Sequence, residues 1–185
     1  MKKWIMIIAV ILAVVFASGC ITSSSSNNTS NTLYKTYNGN NLTFQYPEEW
    51  NTDYNSSLAS SGSEGDVLVT LGENSSGIAV AKANTGSNNI SAALLASEFK
   101  SIITSKYQYV SNSTLTVDNA NATELIIKDN STGDYGSITF LNTNNATYIV
   151  MISTPDNNQQ TINTILNSFK TQWNLKKLPF LFIFF

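Results

Sequence analysis

Hydrophobic periodicity constrains this chain more than any single residue, because it switches between a two-residue and a helical repeat at definite points. Leu42, Phe44 and Tyr46 alternate with Thr43 and Gln45, the pattern of a half-buried strand. Pro47 closes that strand by removing a ladder donor. Trp50 follows Glu48 and Glu49, and a large aromatic just past a strand end is expected to plug the edge of a core. Residues 51 to 65 are rich in Ser, Asn and Gly and read as a long loop. Residues 67 to 71 and 78 to 83 read as two strands of a hairpin joined by the turn-forming stretch 72 to 77. The repeat then lengthens. From a cap at Asn89 or Ser91, residues Leu95, Phe99, Ile102 and Lys106 recur at helical spacing, widened by Leu94 and Ile103, which predicts an amphipathic helix of about fifteen residues. Alternation returns in residues 115 to 117, 123 to 128, 137 to 141 and 147 to 153, separated by turns at 129 to 134 and 142 to 145. Such short connections favour antiparallel neighbours. Thr154 and Pro155 read as the start of a last helix, whose apolar stripe is Ile162, Ile165, Leu166, Phe169 and Trp173. This order predicts an α+β fold with helices packed on one antiparallel sheet.

The first twenty residues decide which solvent that fold meets. Lys2 and Lys3 precede an uncharged apolar run over residues 4 to 17, which breaks into Ser18, Gly19 and Cys20. A basic start, an apolar stretch and small residues before a cut are the layout of a secretory signal. Cys20 is the only cysteine of the 185 residues, and Ala17-Ser18-Gly19-Cys20 resembles the lipobox of prokaryotic lipoproteins. That resemblance implies a diacylglyceryl thioether on Cys20 and a membrane partner reached through it, although Ala17 stands where lipoboxes usually carry Leu. An uncleaved anchor is the alternative, since residues 4 to 21 approach the length of a spanning helix, and simple secretion is a third. All three export the domain. The expected organisation is a signal peptide over 1–19, a lipidated Cys20 with a polar tether over 20–32, one domain over 33–174 and an apolar tail over 175–185. The tether is Ser, Thr and Asn almost throughout, with nothing to bury.

Composition excludes several classes of function. Ten Lys and no Arg face twelve Asp and Glu. Removing Lys2 and Lys3 with the signal leaves 8 minus 12, a net charge of −4. Eight scattered lysines do not make the clustered basic face that displaces counterions, so nucleic acid is not an expected partner. Without His or a second Cys, the usual general base, zinc ligands and internal disulfides are unavailable. Asn is abundant, and ten Asn-x-Ser/Thr sites occur. Each borders a turn, a linker or an element start, where a glycan can be carried. Within the domain the glycosylation candidates are Asn41, Asn55, Asn74, Asn112, Asn121, Asn130 and Asn145.

Two segments carry a further resemblance. Leu42-Thr43-Phe44-Gln45-Tyr46-Pro47-Glu48-Glu49-Trp50 is similar to the opening of PsbP-like domains. Tyr148-Ile149-Val150-Met151, leading through a polar turn to Ile165-Leu166-Asn167-Ser168-Phe169-Lys170, is similar to their ending. PsbP is the extrinsic subunit of the oxygen-evolving photosystem, and relatives with a lipoprotein signal occur in archaea. The resemblance spans residues 32 to 173 and implies an α-β-α sandwich with a binding or assembly-accessory role. Its motifs determine fold rather than activity, and no His-based metal contact can be carried over to a chain that has no His.

Carboxylates remain as candidate chemistry. Glu48, Glu49 and Asp53 surround Trp50, a combination that sugar-binding sites use and that a carboxylate-based glycan hydrolase needs; the plainer reading is a solvated rim. Glu64 and Asp66 flank Gly65 and are compatible with a calcium contact or an ordinary turn. Asp129 and Asp134 span a Gly-containing turn but lack the further ligands and closing Glu of a calcium loop. Ser105 with Lys106 reads as helix surface. The tail, residues 178 to 185 after Lys176 and Lys177, is too short to span a bilayer; it either inserts into the membrane surface or extends from the domain unused. No cofactor is expected. The composite expectation is a lipid-anchored surface module at the outer face of the cell membrane. It would act without catalysis on an unknown surface protein or envelope component. The alternatives are the glycan hydrolase and a calcium or small-ligand carrier.

Overall fold

A computed structural model of the chain describes residues 32–51, 65–83, 91–103, 106–143, 146–155 and 157–171. Cys20, the signal segment, Asp53, Glu64, Ser105, the tail and the candidates Asn55 and Asn145 lie outside the described residues. In chain order the elements are β1 (Tyr34–Gly39), β2 (Leu42–Pro47), β3 (Gly65–Glu73), β4 (Ser76–Ala83), α1 (Ala92–Ile102), β5 (Tyr107–Val117), β6 (Ala120–Asp129), β7 (Tyr135–Asn142), β8 (Thr147–Thr154), α2 (Gln159–Ser168) and β9 (Lys170–Thr171).

The strands form two antiparallel sheets where the sequence predicts one. Six strands run β3-β4-β8-β7-β6-β5, and three make a smaller sheet β1-β2-β9. Strand β2, the most regular alternation in the sequence, therefore belongs to the small sheet. Its inner residues Leu42 and Phe44 are fully buried in the core that α2 shares with the large sheet.

The large sheet is apolar on both faces, which explains why its central strands read as near-continuous apolar runs. On one face Ala79, Ala81, Leu125, Ile127, Ile138, Phe140, Ile149 and Met151 pack beneath Ala92, Leu95, Ala96 and Phe99 of α1. The small alanines of β4 leave room there for the helix, and Phe99 meets Phe140 at 6.0 Å between ring centroids. On the other face Leu71, Ile78, Val80, Leu141, Val150 and Ile152 pack with Ile162, Ile165, Leu166 and Phe169, and with Leu42, Phe44 and Trp50. Phe44 stacks on Phe169 at 5.8 Å, and Ser168 Oγ accepts the Gln45 backbone N–H at 2.8 Å, which holds β2 on the helix. Each such side chain contributes about 1.5–3 kcal/mol by leaving water. Three layers result: α1, the six-stranded sheet, and an outer layer made of α2 and the small sheet.

Both helices are shorter than their apolar stripes suggest. Ser91 caps α1, accepting from the Leu94 N–H at 3.1 Å, as one of the two expected caps. The helix has 11 residues, so Lys106 lies beyond it, and Leu94 is 49% exposed instead of joining the stripe. Thr154 is not a helix cap. It ends β8, and the cap of α2 is Asn158, which accepts from the Thr161 N–H. The intervening chain turns through Pro155 and through Asn157 at φ 49°. Thr154 still serves this turn, because its Oγ1 accepts the Asn158 N–H at 3.1 Å.

Candidate functional site

Of the carboxylates around Trp50, Glu48 and Glu49 lie among the described residues. Trp50 is 4% exposed and fills the core edge as expected. Lys35 of β1 takes Glu48, with Nζ 3.4 Å from Oε1 and donating to its backbone oxygen at 3.2 Å. Glu49 is exposed and borders a small recess of about 150 Å³, with Pro47, Trp50, Pro155 and Asn158. Lys35 thus engages Glu48, while Glu49 stands exposed.

Asp129 is the most specialised ionisable group among the described residues. It is fully buried, and its Oδ1 accepts the Ser131 N–H at 2.7 Å, the Ser131 hydroxyl and the Thr132 N–H at 3.4 Å. Lys106 Nζ lies 3.6 Å from Oδ2. Burial alone would push this carboxyl upward; the Ser131 side-chain and backbone donors, the Lys106 charge and the Thr132 amide outweigh it and hold the group below its ordinary value. The neighbouring Tyr107, over whose ring the ammonium lies at 5.0 Å, works against desolvation and, with the Asp129 charge, raises Lys106 above its own. These are the contacts of a carboxylate that shapes its own turn, closed by Asp129 N–H to Asp134 oxygen and Gly133 N–H to Asp129 oxygen, each 2.8 Å. Donors thus fill Oδ1, and Oδ2, buried with no hydrogen bond of its own, faces the Lys106 ammonium where calcium would have to sit. Asp66 is exposed on the first residues of β3. Among the described residues no group of three or more His, Cys, Asp and Glu could hold a metal ion.

A broad concavity lies at one end of the main sheet, where α1 starts. It has a volume of about 870 Å³ and is lined by Ser91, Thr114, Asp118, Asn121, Thr123 and Asn142, among others. Its carboxylate is already engaged. Asp118 Oδ2 accepts the N–H and the hydroxyl of Thr171, both at 2.7 Å, while Lys170 Nζ lies 3.7 Å from Oδ1. Asp118 thus latches the β5–β6 hairpin to β9. Burial, followed by the Asp118 charge, pushes the Tyr148 hydroxyl upward nearby. What is left to meet a ligand is amide and hydroxyl.

Glu124 escaped the sequence reading. From β6 it accepts the Ser137 hydroxyl at 2.7 Å and the Ser113 hydroxyl at 3.1 Å, a ladder across three neighbouring strands. Strand alternation from Leu125 and Ile127 places Glu124 on the opposite face, but only the register supplies its two serines. The candidates Asn41, Asn74, Asn112, Asn121 and Asn130 are all exposed. Asn41 and Asn74 occupy turns at φ 60° and 54°. Asn112 lies on β5, Asn121 lines the cavity and Asn130 follows β6. No described helix is long and apolar enough to cross a membrane.

A six-stranded antiparallel sheet covered by one helix on one face and by a helix with a small sheet on the other is the PsbP-like arrangement. The structure matches the solution structure of cyanobacterial PsbP, CyanoP from Synechocystis sp. PCC 6803, with a TM-score of 0.52 and 15% identity, over 80% of this chain and 98% of that one. At that identity the likeness is one of fold. A Pseudomonas aeruginosa protein of unknown function matches with a TM-score of 0.39 and 11% identity, over 66% of this chain and 83% of that one. No family model matches the sequence, and no curated protein matches it.

Proposed function

We propose that this chain is an exported, lipid-tethered domain of PsbP-like fold that acts by binding at the outer face of the cell membrane. In this role it supports the assembly of an envelope or surface partner and performs no catalysis. The observation that carries the reading is the order of residues 1 to 20: two lysines, an uncharged apolar run, two small residues and the sole cysteine. The two acyl chains of a diacylglyceryl thioether on one thiol make membrane retention durable, where a single chain would bind only reversibly. The filled faces of the sheet support a binding role, because they leave function to outer surfaces, where Asn, Ser and Thr dominate. The native polypeptide should lose Met1 to Gly19, begin at an acylated Cys20 and partition with membranes. Cys20→Ser should remove the lipid mass and release the chain. An unmodified chain that starts at Met1 in the soluble cell interior would refute the proposal.

A second reading is favoured by the 870 Å³ cavity, whose size is that of a small-ligand site. The hydroxyls and amide of Thr114, Thr123 and Asn121 in its lining suit an uncharged polar ligand such as a sugar. Binding lost on Thr123→Val, with the fold intact, would support it.

A further inference from the structure

We propose that β5 is a pairing edge, joining two copies of this chain antiparallel about a two-fold axis so that their large sheets become continuous. This rests on the structure of the edge and not on the export proposed above. An open sheet edge presents unpaired backbone donors and acceptors, and proteins commonly blunt it with charge, shortness, proline, bulges or a covering segment. The other described edges are blunted in this way. Strand β1 carries Lys35, and β9 has two residues, one of them Lys170. Strand β3 carries Asp66 and Glu73, has a bulge between Val67 and Val69, and is bridged at Gly72 by Asn51 through N–H to oxygen bonds of 3.1 and 3.2 Å.

Strand β5 is different. It is 11 residues long, Tyr-Gln-Tyr-Val-Ser-Asn-Ser-Thr-Leu-Thr-Val, with no charge and no proline, and Ser111 to Thr114 are all exposed. The bulge at Val110 is its one irregularity, and it leaves that side chain 44% exposed. β-Branched and hydroxyl side chains of this kind suit a strand pairing with another strand.

The sequence of β5 favours a second copy as the occupant. An uncharged strand meets its own copy without the like-charge repulsion that would oppose self-pairing. Residues 107 to 117 are centred on Asn112, so antiparallel pairing with full overlap sets Asn112 opposite its own equivalent, as a two-fold axis requires. Because Asn112 is also an Asn-x-Ser/Thr site, a glycan there would keep the edge single. The prediction therefore applies to the chain made without glycans.

The test uses the full chain, produced glycan-free, in density-matched detergent. Sedimentation should give twice the chain mass, falling to one on dilution. Asn112→Lys and Asn112→Asp should each give the single-chain mass at the same concentration, since like charges then meet at the axis. Mixing the two variants should restore the doubled mass through Lys–Asp pairs, which a merely misfolded variant would not do. Asn112→Asp keeps an acceptor for the Tyr109 hydroxyl, bonded to Asn112 at 2.8 Å, so its fold is expected to persist, with an unchanged far-ultraviolet circular dichroism spectrum as the check. A parent chain that stays single at all concentrations, variants that remain paired, or a mixture that does not pair would each overturn the proposal.

Discussion

At the scale of single residues, polar side chains in this protein mostly serve the backbone. Asp129 and Asp118 each spend a carboxylate on N–H and O–H donors of their own fold. From sequence, Asp129 and Asp134 span a Gly-containing turn without the ligand set of a calcium loop, but spacing does not show which way a side chain points. The donors of Ser131 and Thr132 make Asp129 the cap of that turn. A folded-state value held below the ordinary 3.8 means that the stabilisation is complete above the unfolded value and is lost as pH falls through the folded one. Resistance of the parent to chemical denaturation should therefore fall on going from pH 7 to below pH 3, and Asp129→Asn should remove much of that dependence. Asp129→Ala, which removes the charged acceptor of the Ser131 and Thr132 N–H groups, should cost about 2 kcal/mol at pH 7. A pH profile identical in parent and Asp129→Asn would contradict this account.

At the scale of elements, the tight turns explain both what the sequence shows and what it hides. Asn40 and Asn41 have φ of 50° and 60°, and Asp118 and Asn119 have 49° and 60°. Each pair connects strands in register across two residues, Gly39 to Leu42 and Val117 to Ala120. Two positive φ values are what a type I′ hairpin needs, and Asn and Asp tolerate them. Those dipeptides were the available signal for β1 and for the hairpin of β5 with β6. Without it, β1 went unseen and β5 was read only from residue 115, since residues 107 to 114 mix Tyr, Ser and Asn with no clean alternation. The bulge at Val110 shifts the outward set midway and spoils the period. Helices and central strands were legible because both bury a regular stripe. The candidate site was not, because Asp118 meets Thr171 across 53 residues. Asn119→Ala should lower stability by about 1 kcal/mol through backbone strain, while Asn119→Gly should be nearly neutral. Equal melting of parent and Asn119→Ala would show that the turn is unstrained.

At the scale of the whole molecule, one sheet supplies a wall to both cores, so neither can melt while the other keeps its packing. Phe99 belongs to one core and Phe169 to the other, each almost fully buried. Phe99→Ala and Phe169→Ala should each cost about 3–5 kcal/mol, and both should shift one shared unfolding transition. Calorimetry that resolves two transitions, with each variant moving only its own, would separate the layers. The small sheet adds a directional property. Tyr34 pairs with Pro47 at one end of β2, whereas Thr171 pairs with Leu42 at the other. The chain thus enters and leaves at opposite ends of the same strands. A pull between those two points runs lengthwise and loads the β1–β2 ladder as a whole, instead of opening it rung by rung like a zip.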